Sequence, residues 1–266
     1  MIGNEINWVD EIYHYGEAIF EEPQRINRQA NKKKMTPREA IAKLKRWEVS
    51  LNIPFNILMR LLPLRIKEDV LNSFLKDKVE FKNPKLTNIY SIIGYMDGLT
   101  QPDATLSSEN SNLFIELKID ANITLQQVTK YFLAHSFWTE KEDKTKKNYL
   151  LFLGKDSLKK QWVANERSLI FGDGDDDLLN LRDFLIKRDI SEYGSDLKDQ
   201  YKKQVDENKS KFKQICESTI IGWSSWKEMG DLLKEKSNNL DSVRDETVKI
   251  LIEDFLDELK ERKLWG

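Results

Sequence analysis

Asp103, Glu116 and Lys118 are the residues whose types and spacing could do chemistry together. Glu116 and Lys118 stand two apart in Leu113-Phe-Ile-Glu-Leu-Lys-Ile-Asp, where Leu113, Ile115, Leu117 and Ile119 alternate with Phe114, Glu116 and Lys118. Period-two alternation predicts a strand with the first set on its core face. The second set then shares the opposite face, which puts a carboxylate and an ammonium side by side with Cα atoms ~6–7 Å apart. Asp103 falls on the preceding predicted strand, and antiparallel pairing brings it beside Glu116 if the register allows. Two converging carboxylates suit a divalent cation, with the Leu117 carbonyl as a third oxygen ligand. A cation so held supplies polarisation of a phosphodiester oxygen and a lowered pKa for a bound water. Lys118 would orient that water or stabilise charge in the transition state. With no cation, paired acids at close range repel and one of them protonates.

Acid-x-lysine spacing is cheap in a chain that is 33% charged, and it recurs at Glu80/Lys82, Glu142/Lys144, Glu207/Lys209 and Glu258/Lys260. Those pairs fall in predicted helices or loops, where positions two apart do not face each other. Only Glu116/Lys118 sits in an alternating strand, and only it follows Pro102-Asp103, the sole Pro-Asp pair in the sequence. A pair of charges on an exposed sheet face is the alternative reading. Composition narrows the metal. With one cysteine, Cys216, and two imidazoles, His14 and His135, neither a thiolate zinc site nor a His-rich site can be built. The cation must be hard and oxygen-bound, as magnesium or manganese is.

The elements that must position these residues divide the chain into three stretches: 1–64 helical, with a basic segment; 65–190 alternating strand and helix; 191–266 helical. Thr36-Pro37-Arg38-Glu39 reads as a capped helix start, followed by an apolar stripe of Ile41, Leu44, Trp47 and Leu51. Pro54 and Pro63 bracket a short predicted helix, Phe55 to Leu62. In the middle stretch, Ile66, Val70, Leu71, Phe74 and Leu75 have helical spacing. Ile89 to Met96 reads as a strand, Asp97-Gly98 as a hairpin turn, and Leu99 to Leu106 as the returning strand. The strand carrying Glu116 comes third. A helix from about Leu125 to Phe137, capped by Thr124, a buried strand from Asn148 to Leu153, and a helix from Asp156 follow. The predicted fold is therefore α/β: helix, three-strand meander, helix, strand, with helical regions on both flanks. Gly172-Asp-Gly-Asp-Asp-Asp lacks the spacing of a calcium loop, since the sixth position counted from Asp173 must be glycine and is Leu178, and reads as acids before the helix Leu178 to Lys187. The C-terminal stretch reads as roughly three helices, the last striped by Val248, Leu251, Ile252, Phe255, Leu256 and Leu259.

Pro102-Asp103 followed by Glu116-x-Lys118 resembles the signature of the PD-(D/E)XK nuclease superfamily, whose restriction-endonuclease-like core has a similar element order. Gln127 and Tyr131 resemble the Gln-x-x-x-Tyr element of its RecB-like members, and Glu68 resembles the acid on the helix before the first strand. The resemblance covers about residues 65–160. It implies a magnesium- or manganese-dependent nuclease, a DNA endonuclease by first expectation, acting in restriction, phage defence, mobile-element processing or repair. Asp103, Glu116 and the Leu117 carbonyl would hold the metal, Lys118 would assist the attacking water, and Glu68, Gln127 and Tyr131 would serve metal geometry, strand position or lysine orientation. Other readings of the last three stay open. Gln127 could complete a capping box with Thr124, Tyr131 could be a core-edge aromatic, and Glu68 could be a solvated helix charge with Asp69 as its competitor.

The 43 Lys and Arg against 45 Asp and Glu leave a net charge of −2, which excludes a histone-like polycation and gives no overall vote for a nucleic-acid partner. A local vote comes from the run Arg25 to Arg46, whose Lys32, Lys33, Lys34, Lys43 and Arg46 could track a phosphate backbone or simply form a solvated face. Trp223 and Trp226 could stack bases or bury against the C-terminal helices. DNA is expected ahead of RNA, with a homodimer or a partner protein on the C-terminal helices. No apolar window reaches ~18 residues and no signal peptide opens the sequence, so the expected location is cytoplasmic and off the membrane. The rival class is a catalytically inactive nuclease-like module that binds nucleic acid or protein without cutting.

Overall fold

The computed structural model describes residues 48–74, 81–93, 99, 101–119, 125–141, 145–155, 209–241 and 243–266. They fall into two compact units: Leu64–Ser225, and a second that joins the segment ending at Pro63 to Trp226–Gly266.

The unit Leu64–Ser225 is an α/β layer built on one mixed five-stranded sheet: β1 Lys85–Leu86, β2 Ala104–Ser107, β3 Ser111–Leu117, β4 Lys147–Gly154 and β5 Ile220–Ser225. Spatial order follows chain order. β1, β2 and β3 form an antiparallel meander, and β4 and β5 add in parallel to β3. Parallel neighbours require a crossover; between β3 and β4 it includes helix α4, Leu125–Lys141. Numbered in chain order, α2 is Leu64–Ser73, α3 Ile89–Ile93 and α5 Lys209–Ser218.

β3 is buried along its whole length, and β4 from Asn148 onward. The strand is therefore not one-faced, as the alternation suggested. Leu113, Ile115 and Leu117 do share a face, but Phe114 on the other face is equally buried, at the centre of a second core with Leu150, Phe152, Val128, Tyr131, Phe132 and Trp138. Both strands lie inside the sheet with at least one parallel neighbour, and the parallel part of a sheet is covered on both faces, so apolar residues on both faces are the rule. Helix α4 is buried continuously from Val128 to Trp138, as a helix lying inside a core must be.

Several expected elements are differently placed. Ile89–Ile93 is a helix, not the first strand of the hairpin. Ile89, Ile92 and Ile93 pack into the α4 core with three-and-four spacing, and short apolar runs rich in isoleucine suit either state. The meander instead begins at Lys85–Leu86. β2 is only Ala104–Ser107, shorter than Leu99 to Leu106, and β3 begins two residues earlier than expected. The C-terminal stretch is not all helical either: Ile220–Ser225 is the parallel edge partner of β4. Asp97-Gly98, Thr124, the helix expected from Asp156, Gly172 to Asp177 and the helix Leu178 to Lys187 lie outside the described residues.

In the other unit, Glu48–Leu61 forms one helix, α1, that runs through Pro54. The expected break at Pro54 does not occur, because Leu51, Phe55, Leu58 and Met59 bury one continuous stripe, and packing of that size overrides a proline's local penalty. Helices α6 Trp226–Asn238 and α7 Glu246–Glu261 pack on each other, and α7 also meets α1. The α7 stripe lies as expected, with Leu251, Ile252, Phe255, Leu256 and Leu259 buried. Glu258 and Arg262 form a buried ion pair at 2.6 Å at its end.

Candidate active site

The β2/β3 register pairs Ala104 with Ile115, so continuing it one place sets Asp103 opposite Glu116. The pairing is closed by a side chain: the Leu117 N–H donates to Asp103 Oδ2 at 2.7 Å. Asp103 thus caps the end of β2 while its carboxylate stands at the C-terminal end of β3. Asp103 is half-buried, whereas Glu116 is 3% exposed and Lys118 6% exposed.

A buried carboxylate is tolerable only when paired and hydrogen-bonded, and Glu116 is both. Lys118 Nζ lies 2.6 Å from Oε1. Gln127 Nε2 donates to the same oxygen at 2.5 Å and to Tyr131 Oη at 2.9 Å, spending both of its N–H groups inside the cluster. The Tyr131 hydroxyl donates to Glu116 Oε2. Gln127 and Tyr131 are one helical turn apart on α4, and the first turns of that helix meet the end of β3. Burial first, and the negative charge of Glu116 and its hydrogen bond next, hold the Tyr131 phenol well above its ordinary pKa; Asp103 adds to the same effect. Both carboxylates therefore act on one phenol.

The donor set is hard. It offers two carboxylates and the backbone carbonyl of Leu117, while the described imidazole and thiol lie elsewhere: His135 stacks on Phe114 and Cys216 is buried in the α4–α5 core. Glu116 receives three donors, and a carboxylate has about four acceptor positions. No group of three or more His, Cys, Asp or Glu side chains gathers among the described residues. A small hard cation takes one or two carboxylates and completes its shell with water and substrate oxygens.

Glu68 is not brought to this cluster by a direct contact. Its Oε1 accepts the Asn83 N–H at 2.9 Å, holding a residue whose φ of 52° lies in the left-handed region. Asparagine tolerates that region, and the carboxylate pins the turn into β1. Lys32, Lys33, Lys34, Lys43 and Arg46 lie outside the described residues, as does His14.

Two further residues belong to the site: Gly154, which the sequence reading does not single out, and Trp223, which it weighs only as a base-stacking or buried aromatic. Gly154 ends β4, and Trp223 pairs with Phe152 across the β4/β5 ladder, in the row that also holds Glu116. A Cβ on Gly154 would fall 2.6 Å from Trp223 Cη2 and 3.4 Å from Lys118 Cβ. The missing side chain lets the indole close over the stem of Lys118. Trp223 is half-buried and packs against the core that holds Phe212, Ile215 and Cys216 of α5, a helix of the C-terminal stretch, and Trp226 is fully buried at the start of the next helix. The only sequence signal was the glycine ending an apolar strand, where close approach of another group is one of few reasons for it. No family model, curated protein or solved structure matches this chain.

Proposed function

We propose that the chain is a metal-dependent nuclease that hydrolyses phosphodiester bonds, with a core of restriction-endonuclease type. The single observation that carries this reading is the convergence of Asp103, Glu116 and Lys118 at the end of β3, with Gln127 and Tyr131 fixing the glutamate. The element order supports it: a helix, an antiparallel meander, a crossover helix and a parallel strand.

Asp103, Glu116 and the Leu117 carbonyl would hold a magnesium or manganese ion, which supplies Lewis-acid polarisation of a phosphate oxygen and a more acidic bound water. The chain's own residues do the rest. Gln127 and Tyr131 lock the Glu116 carboxylate in one orientation, so no reorganisation is needed when charge develops. Lys118, held on Oε1 and covered by Trp223, keeps an ammonium where the attacking water would be oriented. Half-exposed Asp103 and Gln127 form the side open to substrate. DNA is the first substrate to test, with a homodimer as the arrangement that lets one site per chain break both strands.

Thermal melting with manganese tests the metal site. The wild-type protein is expected to melt higher as manganese is added, because a ligand of the native state stabilises by mass action. Asp103→Asn is expected to lose that shift. An equal shift in Asp103→Asn places the metal elsewhere and removes this assignment.

A further inference from the structure

At the other end of the same sheet, α4, α5 and the start of β4 enclose a cleft of about 340 Å³. Its position follows from the ladder. Asn148, in its wall, pairs with Asn112, four residues before Glu116 on β3, which places it about 13 Å along the strand from the candidate active site. Among the described residues, Lys146, Lys147 and Lys211 line it against one acid, Glu140, which Lys211 engages at 2.7 Å. Lys146 Nζ donates to Ser107 Oγ at 2.9 Å, and Lys147 is exposed with no carboxylate partner among the described residues. Among the described lining residues cations are in excess.

The second observation is a buried amide with an unmet need. Asn148 is 4% exposed and donates from Nδ2 to Thr139 Oγ1 at 3.1 Å, but its Oδ1 has no partner among the described residues. Asn112, fully buried beside it, has no partner for either end of its amide. Leucine or valine would fill such sheet positions without the cost of burying an unpaired polar group. The lysines ask for an anion, and Ser136, Thr139, Asn148 and Gln214 make the rest of the wall polar. A nucleotide suits both, with a phosphate for the lysines and hydroxyl and amino groups for the polar wall, and the volume is at the small-ligand end of pocket sizes, about 300–1,000 Å³.

We propose that this cleft is a second, non-catalytic site that binds a nucleotide through its phosphate monoester. The inference rests on the cleft alone and stands whether or not the chain cuts nucleic acid. The phosphate monoester can belong to a free nucleotide or to the 5′ end of a strand. Isothermal titration of the full chain in magnesium-free buffer separates them, using adenosine 5′-monophosphate, adenosine, inorganic phosphate, and an oligonucleotide with and without a 5′-phosphate. One-to-one binding of the monophosphate, or of the 5′-phosphorylated strand alone, is expected, with adenosine and the unphosphorylated strand at least tenfold weaker. Lys147→Glu with Lys211→Glu, both at exposed positions, should weaken it at least tenfold. Asn148→Leu should do the same while melting within a few degrees of wild type, because the Thr139 hydrogen bond it gives up is offset by the unpaired oxygen it removes. Absence of binding by every phosphorylated probe, inorganic phosphate binding as well as the nucleotide, or affinity unchanged in the lysine variant overturns the proposal.

Discussion

Glu116 is the residue on which the candidate site turns, because its carboxylate is buried and held by an amine, an amide and a phenol at once. A hydrogen bond to a buried charge is worth about 1.5–3 kcal/mol, so Tyr131→Phe should lower stability by about that amount in urea denaturation. The phenol's own titration has a definite sign. Its folded pKa is raised, so the stabilisation is fully present below about pH 10, the unfolded tyrosine's value, and is lost as pH rises toward the folded value. Among the eight tyrosines burial also raises Tyr149, so spectrophotometric titration should show Tyr131 ionising last, and Tyr131→Phe should remove that last step. Gly154 has a comparable leverage by absence. A methyl there collides with an indole ring at 2.6 Å, and since overpacking costs about 1–3 kcal/mol, Gly154→Ala should melt lower and release Trp223, read as a red shift of its fluorescence.

At the scale of elements, β3 and α4 position the site, and both are core elements. Phe114 lies on the α4 side of β3 and Ile115 on the other, each fully buried. Phe114→Ala should cost about 3–5 kcal/mol and Ile115→Ala about 2–5 kcal/mol in chemical denaturation, a large loss on both faces. A face open to water would make one of the two nearly silent. This two-sidedness is where the sequence reading fell short. The alternation of Leu113, Ile115 and Leu117 is visible from spacing, and so is the Glu116/Lys118 side. What covers Phe114 depends on α4, whose burial on all sides comes from non-local packing that no local period records. Gln127 and Tyr131 were legible as one helix face by their four-residue spacing. The Ile89–Ile93 helix and the β5 strand were not, because short apolar runs are decided by their neighbours: isoleucines packing against α4 in one case, the open edge of β4 in the other.

At the scale of the whole molecule, the site shares its sheet with a buried polar stack that couples folding to pH. His135 is fully buried, its ring stacked 3.8 Å from that of Phe114 and its Nε2 3.1 Å from the Tyr149 carbonyl oxygen. Burial pulls its pKa down to about 3, with the Tyr149 carbonyl opposing. The unfolded imidazole takes up a proton below about pH 6.5 while the folded one stays neutral. Stability from this group is therefore full above that pH and falls toward pH 3, by up to about 1.4 kcal/mol per pH unit. Replacing it with phenylalanine should flatten the urea midpoint between pH 6.5 and 4 relative to wild type.

No helix among the described residues is long and apolar enough to cross a membrane. The central claim is that Asp103, Glu116 and Lys118 together cut a phosphodiester bond, and plasmid cleavage tests it most directly. Supercoiled plasmid with magnesium should be nicked or linearised by the wild-type protein and left intact with a chelator, by Asp103→Asn and by Lys118→Met. Cleavage at the wild-type rate by both variants, or no cleavage of DNA or RNA by the folded wild type in magnesium or manganese, contradicts it.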